Sequence, residues 1–449
     1  MPKSEIFRSI RNLMAGVRKP APAILRGRSP AETLRIGLVG CGGRGTGIVS
    51  DALSADPKAE LAALADLDPG KVERSLNSLR NIPKIAGQVR TDTQKFEGLD
   101  AYLRLIQSEV DLVILATPPG FRPVQLAACV DAGRHVFCEK PAATDAAGVQ
   151  SVLASVEKAK ARKLCLMSGL CTRYDQTVQD MVGAISQGAI GRVIAYHSTY
   201  FGGCVKPMLP ASARPAHMTE IEWQIRNWYN FVWLSGDGLV EQAIHSVDRI
   251  SWVMGDQPPL SCTGSGGRAV AAAEGNIFDH FSVTYTWPDG MQAVVNTRQV
   301  DGCLNGVFDD IFGTEGTFVY GRGPWPVLKK HKSASFDDNL AATASNAAEH
   351  ARPVGNWLRN RLAANMYLEQ QIALLRAIRN QEALNEGERL AMTTLLAIMG
   401  RTAAYTGREI TWDEMLKSRE RLVPESLECN DRAAPVARRA QPGLNDFAQ

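Results

Sequence analysis

Between residues 34 and 167, short apolar runs alternate with longer stretches of mixed polarity. Leu34–Val39 (LRIGLV), Glu60–Ala65 (ELAALA), Val110–Thr117 (VDLVILAT), His135–Cys138 (HVFC) and Lys163–Met167 (KLCLM) have strand length and little internal polarity. Gly47–Leu53, Tyr102–Gln107, Val124–Ala132 and a stretch capped by Thr144 and reaching about Ala161 have helical spacing. Continuous apolar strands separated by helices predict a parallel, doubly wound sheet. After about residue 190 the pattern changes. Val193–Tyr200, Leu260–Val270, Phe278–Trp287, Gln292–Gln299 and Phe308–Phe312 are extended runs, and Pro288-Asp289-Gly290 between two of them predicts an antiparallel hairpin. One helix, Gly238–Met254, interrupts them, and helices near Met366–Arg379 and Glu386–Thr406 follow. The expectation is an α/β doubly wound parallel domain plus an α+β domain with a large, mostly antiparallel open sheet. Its parts are a basic N-terminal arm (1–33), the parallel-sheet domain (34–168), the second-sheet domain (169–416) and a C-terminal tail (417–449).

Composition narrows the class. A chain of 449 residues with 45% hydrophobic and 22% charged residues is that of an ordinary globular protein with two or three domains. Lys and Arg number 50 and Asp and Glu 47, a net charge of +3, which gives no reason to expect nucleic acid. No apolar run is long enough to span a membrane. Nine cysteines without a C-x-x-C pair fit a reduced, cytoplasmic setting with unpaired thiols. The arm carries Lys3, Arg8, Arg11, Arg18, Lys19, Arg26 and Arg28, with a basic helix expected around Ile6–Val17 and no secretory h-region.

The sharpest chemical signal follows the first strand. Gly40-Cys41-Gly42-Gly43-Arg44-Gly45 fits G-x-G-x-x-G between a strand and a helix. Gly40 permits the tight turn, Gly42 lets the backbone approach a pyrophosphate, and Gly45 allows helix and strand to pack closely. The helix N-terminus offers N–H groups to phosphates. Asp66, at the end of the second strand, stands where a ribose-binding carboxylate is expected. A carboxylate there favours NAD and repels a 2′-phosphate, while Arg44 and Lys71 nearby leave NADP open. Thr117 and Pro118 end the third strand, and Glu139-Lys140-Pro141 ends the fourth. Both strand ends lie where nucleotide sites form in open α/β sheets.

These motifs, with ATPP at 116–119, AGRHVFCEKP at 132–141, GAIGRV at 188–193 and the helix carrying His245, occur in an order that resembles the Gfo/Idh/MocA family over roughly residues 34–416. The resemblance implies a Rossmann domain followed by an open-sheet domain, oxidation of a sugar or polyol with NAD(P), and a homo-oligomer (dimer or tetramer) assembled through sheet faces.

Alcohol oxidation needs a group to take the hydroxyl proton. Lys140, at a strand end, can donate to the forming carbonyl or relay the proton. His245 has a suitable ordinary pKa of ~6.5. Glu241, four residues earlier, can share its helix face and orient the imidazole, or reach the substrate itself, since the family usually carries the shorter Asp there. Candidates for substrate binding are Arg226 and Trp228 in the EWQIRNWY segment, Asp248, Arg173 and Arg298. Arg122 stands where many relatives carry His. No metal is expected. Three activities stay open: a dehydrogenase releasing NADH, a redox-neutral glycosidase or lyase that oxidises, eliminates and re-reduces, and a non-catalytic NAD-binding sensor.

Overall fold

The computed structural model describes residues 32–270, 274–323, 326–331, 365–424 and 438–444. The basic arm with its expected helix, and most of the C-terminal tail, lie outside these. Strands β1 (Leu34–Val39), β2 (Ala59–Asp66), β3 (Val89–Glu97), β4 (Leu112–Leu115), β5 (His135–Cys138) and β6 (Leu166–Ser168) form a parallel sheet in the order β3-β2-β1-β4-β5-β6. Helices α1 (Gly43–Ala55), α2 (Pro69–Arg80), α3 (Ala101–Gln107), α4 (Arg122–Asp131) and α5 (Ala146–Ala161) connect them. All four residues of β4 are buried, as a central strand covered on both faces requires. By contrast β3 (VRTDTQKFE) is mostly exposed, which is why it carries no apolar signal in the sequence. The strand order reverses between β1 and β4, the point where doubly wound sheets open a crevice at their carboxyl ends.

One cap differs from expectation. The N-cap of α5 is Asp145, whose carboxylate accepts from Gly148 N at 2.7 Å, whereas the Thr144 hydroxyl donates to Trp233 O at 3.1 Å. The cap residue thus closes the helix, and its neighbour ties the nucleotide domain to the second one.

After α6 (Gln176–Ser186) the second sheet runs β13-β12-β11-β7-β10-β9-β8-β14. Its strands are β7 (Val193–Gly202), β8 (Ser261–Gly267), β9 (His280–Thr286), β10 (Gln292–Gln299), β11 (Gly306–Gly313), β12 (Gly316–Tyr320), β13 (Val327–Lys330) and β14 (Ile410–Thr411). Every pair is antiparallel except β10 with β7. Pro288-Asp289-Gly290 closes the β9–β10 hairpin, with Gly290 at φ +80 supplying the left-handed turn residue. Tyr196, Ser198 and Tyr200 face the interior from β7, while His197, Thr199 and Phe201 lie on the opposite, open face.

After α7 (Glu220–Arg226) and α8 (Val232–Ser235), the single helix expected over Gly238–Met254 is two. α9 (Gly238–Glu241) stops, Gln242 and Ala243 form a turn, and α10 (Ile244–Val253) begins anew. The cause is local. A continuous helix would use the Glu241 carbonyl for the His245 N–H. That carbonyl instead accepts from Lys140 Nζ at 2.5 Å.

Late in the chain, α11 (Met366–Asn380) returns to the first sheet. Leu374, Leu375, Ala377 and Ile378 share one buried cluster with Ile36, Leu38 and Ile48. Arg379 pairs with Asp56 at 2.5 Å. The long buried helix α12 (Gly387–Thr406) packs between the two sheets, against α5 and β8. Among the described residues no helix is long and apolar enough to cross a membrane. The described cysteines are free, and all but Cys204 and Cys303 are buried.

Candidate active site

The carboxyl ends of β1, β2, β4 and β5 open into a cavity of about 760 Å³ that the second sheet covers from the other side. Gly40, Gly42, Gly43, Arg44, Gly45, Asp66, Thr117, Pro118, Glu139, Lys140, Glu241, His245 and Trp228 all line it. Ten of these come from the first domain and three from the second, so the cavity is assembled by their apposition.

The glycine loop has the shape a dinucleotide needs. At Gly40, φ is +98, and a Cβ there would lie 2.6 Å from the Ala116 carbonyl carbon. A Cβ on Gly45 would lie 2.2 Å from Gly40 O, so only glycine lets α1 approach the loop. Gly42 and Gly43 differ: a methyl on either would meet nothing within 4 Å. Their glycine character leaves open space at the first turn of α1, where N–H groups face the cavity. Asp66 is held by two backbone donors, Cys41 N at 2.8 Å and Asp68 N at 3.0 Å, one to each oxygen. Each oxygen keeps a lone pair for a further donor. These residues fit a dinucleotide with its phosphates on the loop and a ribose at Asp66.

At the other end of the cavity the chemistry is ionic. Glu139 is 2% exposed. Its Oε1 accepts from Arg44 Nε at 2.6 Å, and its Oε2 accepts from Lys140 N at 2.8 Å. Gly169 makes room for this carboxylate, because a Cβ there would lie 2.5 Å from Oε2. Arg44 also stacks over the Tyr367 ring at 4.3 Å. The Lys140–Pro141 peptide bond is cis. Lys140 Nζ reaches across to Glu241, donating to its main-chain oxygen and, at 3.1 Å, to Oε1. The second Glu241 oxygen accepts from Gln242 Nε2, and Gln242 Oε1 in turn accepts from Tyr200.

Glu241 therefore serves Lys140 and does not orient His245, as its i, i+4 spacing had suggested. With the helix broken after Glu241, the two side chains no longer share a regular face. His245 Nδ1 has no hydrogen-bond partner among the described residues. Burial pushes the imidazole pKa well below 6.5, and the nearby charges of Lys140, Arg249 and Arg44 add to the depression. The ring is neutral at physiological pH.

Four of the five substrate candidates lie elsewhere. Arg173 and Asp248 are buried in an ion pair of 2.8 Å, with Asp256 as second acid at 2.6 Å, and this network anchors α10 from behind. Arg226 is exposed and does not line the cavity. Arg298 projects from the open face of the second sheet, over Phe201 at 4.4 Å. Only Trp228 faces the cavity, with Lys206 Nζ 5.3 Å from its ring. Residues not foreseen include Tyr200, Tyr320, Arg249 and, from α11, Met366 and Tyr367. Tyr200 and Tyr320 sit on strands next to each other's neighbours and look like ordinary strand tyrosines in sequence. Tyr367 is more than 300 positions from the glycine loop, and no local pattern marks it. Among the described residues no three His, Cys, Asp or Glu side chains converge as a metal site requires.

Comparison with known proteins agrees with this architecture. Residues 34–167 match the family model described as an oxidoreductase family with an NAD-binding Rossmann fold, and residues 178–319 match the GFO/IDH/MocA C-terminal domain. The inositol 2-dehydrogenase of Rhizobium meliloti (strain 1021) is 26% identical over 269 residues, 60% of this chain and 69% of that one. Two Saccharopolyspora erythraea inositol 2-dehydrogenases are matched over only 55% and 58% of their own length. Among solved structures, the WlbA dehydrogenase from Bordetella pertussis, in complex with NADH and UDP-GlcNAcA, superimposes with a TM-score of 0.63 at 22% identity, covering 85% of this chain and 98% of that one. A levoglucosan dehydrogenase in complex with NADH and levoglucosan gives 0.61 at 17% identity, covering 85% and 99%. With both domain models matched in sequence order over more than half the chain, the protein belongs to the Gfo/Idh/MocA family of oxidoreductases.

Proposed function

We propose that this protein oxidises a hydroxyl of a sugar, polyol or sugar derivative with NAD as hydride acceptor. The observation that carries the reading is the continuity of one cavity from the glycine loop and Asp66 to Lys140, Glu241 and His245. NAD, when bound, supplies the acceptor for the hydride. The chain's own residues handle the proton. Lys140, held by Glu241, presents an ammonium that donates to the substrate oxygen and stabilises negative charge developing on it. His245 is neutral and partly open to the cavity, so it can accept the hydroxyl proton. Trp228 offers an aromatic face to a sugar ring. That named relatives are inositol dehydrogenases, and that fold neighbours were solved with sugar ligands and NADH, supports this substrate class.

The carboxylate of Glu241 is occupied by Lys140 and Gln242. That favours a positioning role over a second acid/base in an elimination, and so a dehydrogenase over a redox-neutral lyase. Asp66 favours NAD over NADP. We also infer a homo-oligomer, because the open face of the second sheet leaves Phe201, Phe308, Phe312 and Val319 part-exposed and a second copy would cover it. The test of the activity is NADH formation with a panel of sugars and polyols. Absence of both NADH formation and cofactor binding would reject the reading.

A further inference from the structure

Arg122 begins α4, directly after the carboxyl end of β4, and lines the cavity beside Thr117, Glu139 and Lys140. It is buried, at 5% exposure. One terminal nitrogen donates to the Pro141 carbonyl and the other to the Thr117 carbonyl, each at 2.6 Å. Both acceptors are uncharged.

Three other cations at this end of the cavity are each matched with an acid, while Lys206 lies over the Trp228 ring on the second-domain side. Arg44 pairs with Glu139, Lys140 with Glu241 and Arg249 with Asp309. His245 is neutral. On the wall formed by the ends of β4 and β5, Arg122 has no carboxylate at ion-pairing distance among the described residues, and its Nε is buried without a partner. Burial lowers its pKa from the ordinary value, with Glu139 and Glu241 acting in the opposite sense, and a guanidinium remains charged across physiological pH. The wall at the ends of β4 and β5 thus carries one buried positive charge that no acid pairs directly.

The two forms of a nicotinamide cofactor differ by one charge at the ring: oxidised it is a cation, reduced it is neutral. We propose that Arg122 sets the redox-state preference of this pocket, disfavouring the oxidised cofactor and leaving the reduced one unaffected. This rests on the NAD reading above and adds a direction to it. The oxidised form is therefore held less tightly than the reduced one. Two carbonyl hydrogen bonds suffice for a clamp between Thr117 and Pro141, but a clamp acts on both cofactor forms alike. A fixed charge acts on their ratio.

The test is the dissociation constant of the full chain for NAD and for NADH, measured separately by titration calorimetry, for the parent, Arg122→Gln and Arg122→Lys. The parent should bind NADH more tightly, and Arg122→Gln should narrow the ratio on the order of tenfold, with Arg122→Lys near the parent. A parent ratio near one overturns the proposal even if the Gln variant fails to fold. So does a Gln ratio within about twofold of the parent's. If neither dinucleotide binds the parent, the cofactor reading fails and takes this proposal with it. If both bind and Arg122 leaves the ratio unchanged, only the present proposal fails.

Discussion

The ammonium of Lys140 donates to Glu241 twice, to its carboxylate at 3.1 Å and to its main-chain oxygen at 2.5 Å. One lysine thereby joins the end of β5 to the end of α9, and the helix that would have continued through Glu241 stops there. The same contact fixes the position of the proposed proton-handling group and the separation of Glu241 from His245.

Removing the lysine should act on stability as well as rate. Both side chains are largely buried, at 13% and 9% exposure. Breaking a buried pair from one side leaves an uncompensated charge and costs about 3–5 kcal/mol, less here because water reaches the cavity. Lys140→Met should therefore lower the thermal midpoint and abolish measurable turnover. Lys140→Met combined with Glu241→Met should recover much of the stability and none of the activity. Glu241→Gln alone keeps a carbonyl acceptor for Nζ, so it should slow turnover without accumulating bound NADH. Accumulated NADH in that variant would instead show Glu241 to be an acid/base in a later step.

The depressed imidazole gives a pH prediction. Since the folded pKa of His245 lies below 6.5, the ring stays neutral as pH falls through that value. Oxidation should keep its rate at pH 6.5, with the acid limb below it. Lys140 is one cause of the depression, so in Lys140→Met the histidine resonance should titrate at higher pH than in the parent. In stability terms, the unfolded chain takes up this proton first. The contribution is fully present above the unfolded pKa and is lost as pH falls below it. His245→Ala should cut turnover by ~10²–10⁴ with NAD binding intact. A parent histidine titrating at its ordinary value, read by NMR, would count against the neutral-base role.

The nucleotide half of this site is legible in the sequence because each of its elements is local. G-x-G-x-x-G, Asp66 and Glu139-Lys140 each adjoin a strand whose apolar run marks it. The strands β1, β5 and β10 begin and end where the pattern places them. The substrate half is much less so. Arg173 and Asp248 lie 75 positions apart and look like free polar residues until folding buries them against each other. Arg298 has the right strand but the wrong face, since its register beside Phe201 points it away from the cavity. The break after Glu241 has no local cause, being imposed by a lysine 101 positions upstream.

For the cofactor, two glycines separate fold from function. Gly42→Val should fold as the parent does, because nothing lies within 4 Å of its Cβ position, yet lose NAD by filling the phosphate space. Gly45→Val should be unstable, its Cβ colliding with Gly40 O. Asp66→Ala should weaken NAD and narrow its advantage over NADP, each lost charge-assisted hydrogen bond being worth ~1.5–3 kcal/mol. Unchanged NAD affinity in both Gly42→Val and Asp66→Ala would place the dinucleotide elsewhere.

Assembly can be checked on the open sheet face. Sedimentation should show a dimer or tetramer at micromolar concentration. Phe308→Lys with Phe312→Lys should shift it to smaller species, since both rings lie on that face. A monomeric parent would remove the reason for assigning a second copy to this surface.

The proposed activity requires one cavity to bind NAD and, through Lys140, to turn over a sugar or polyol hydroxyl. Its most direct test follows absorbance of NADH for the parent and Lys140→Met across a panel of inositols, hexoses and sugar acids, with NAD saturation verified for both. NADH should form with the parent on at least one polyhydroxylated substrate, and none should form with a variant that still binds NAD. Equal rates in the two proteins would contradict that proposal.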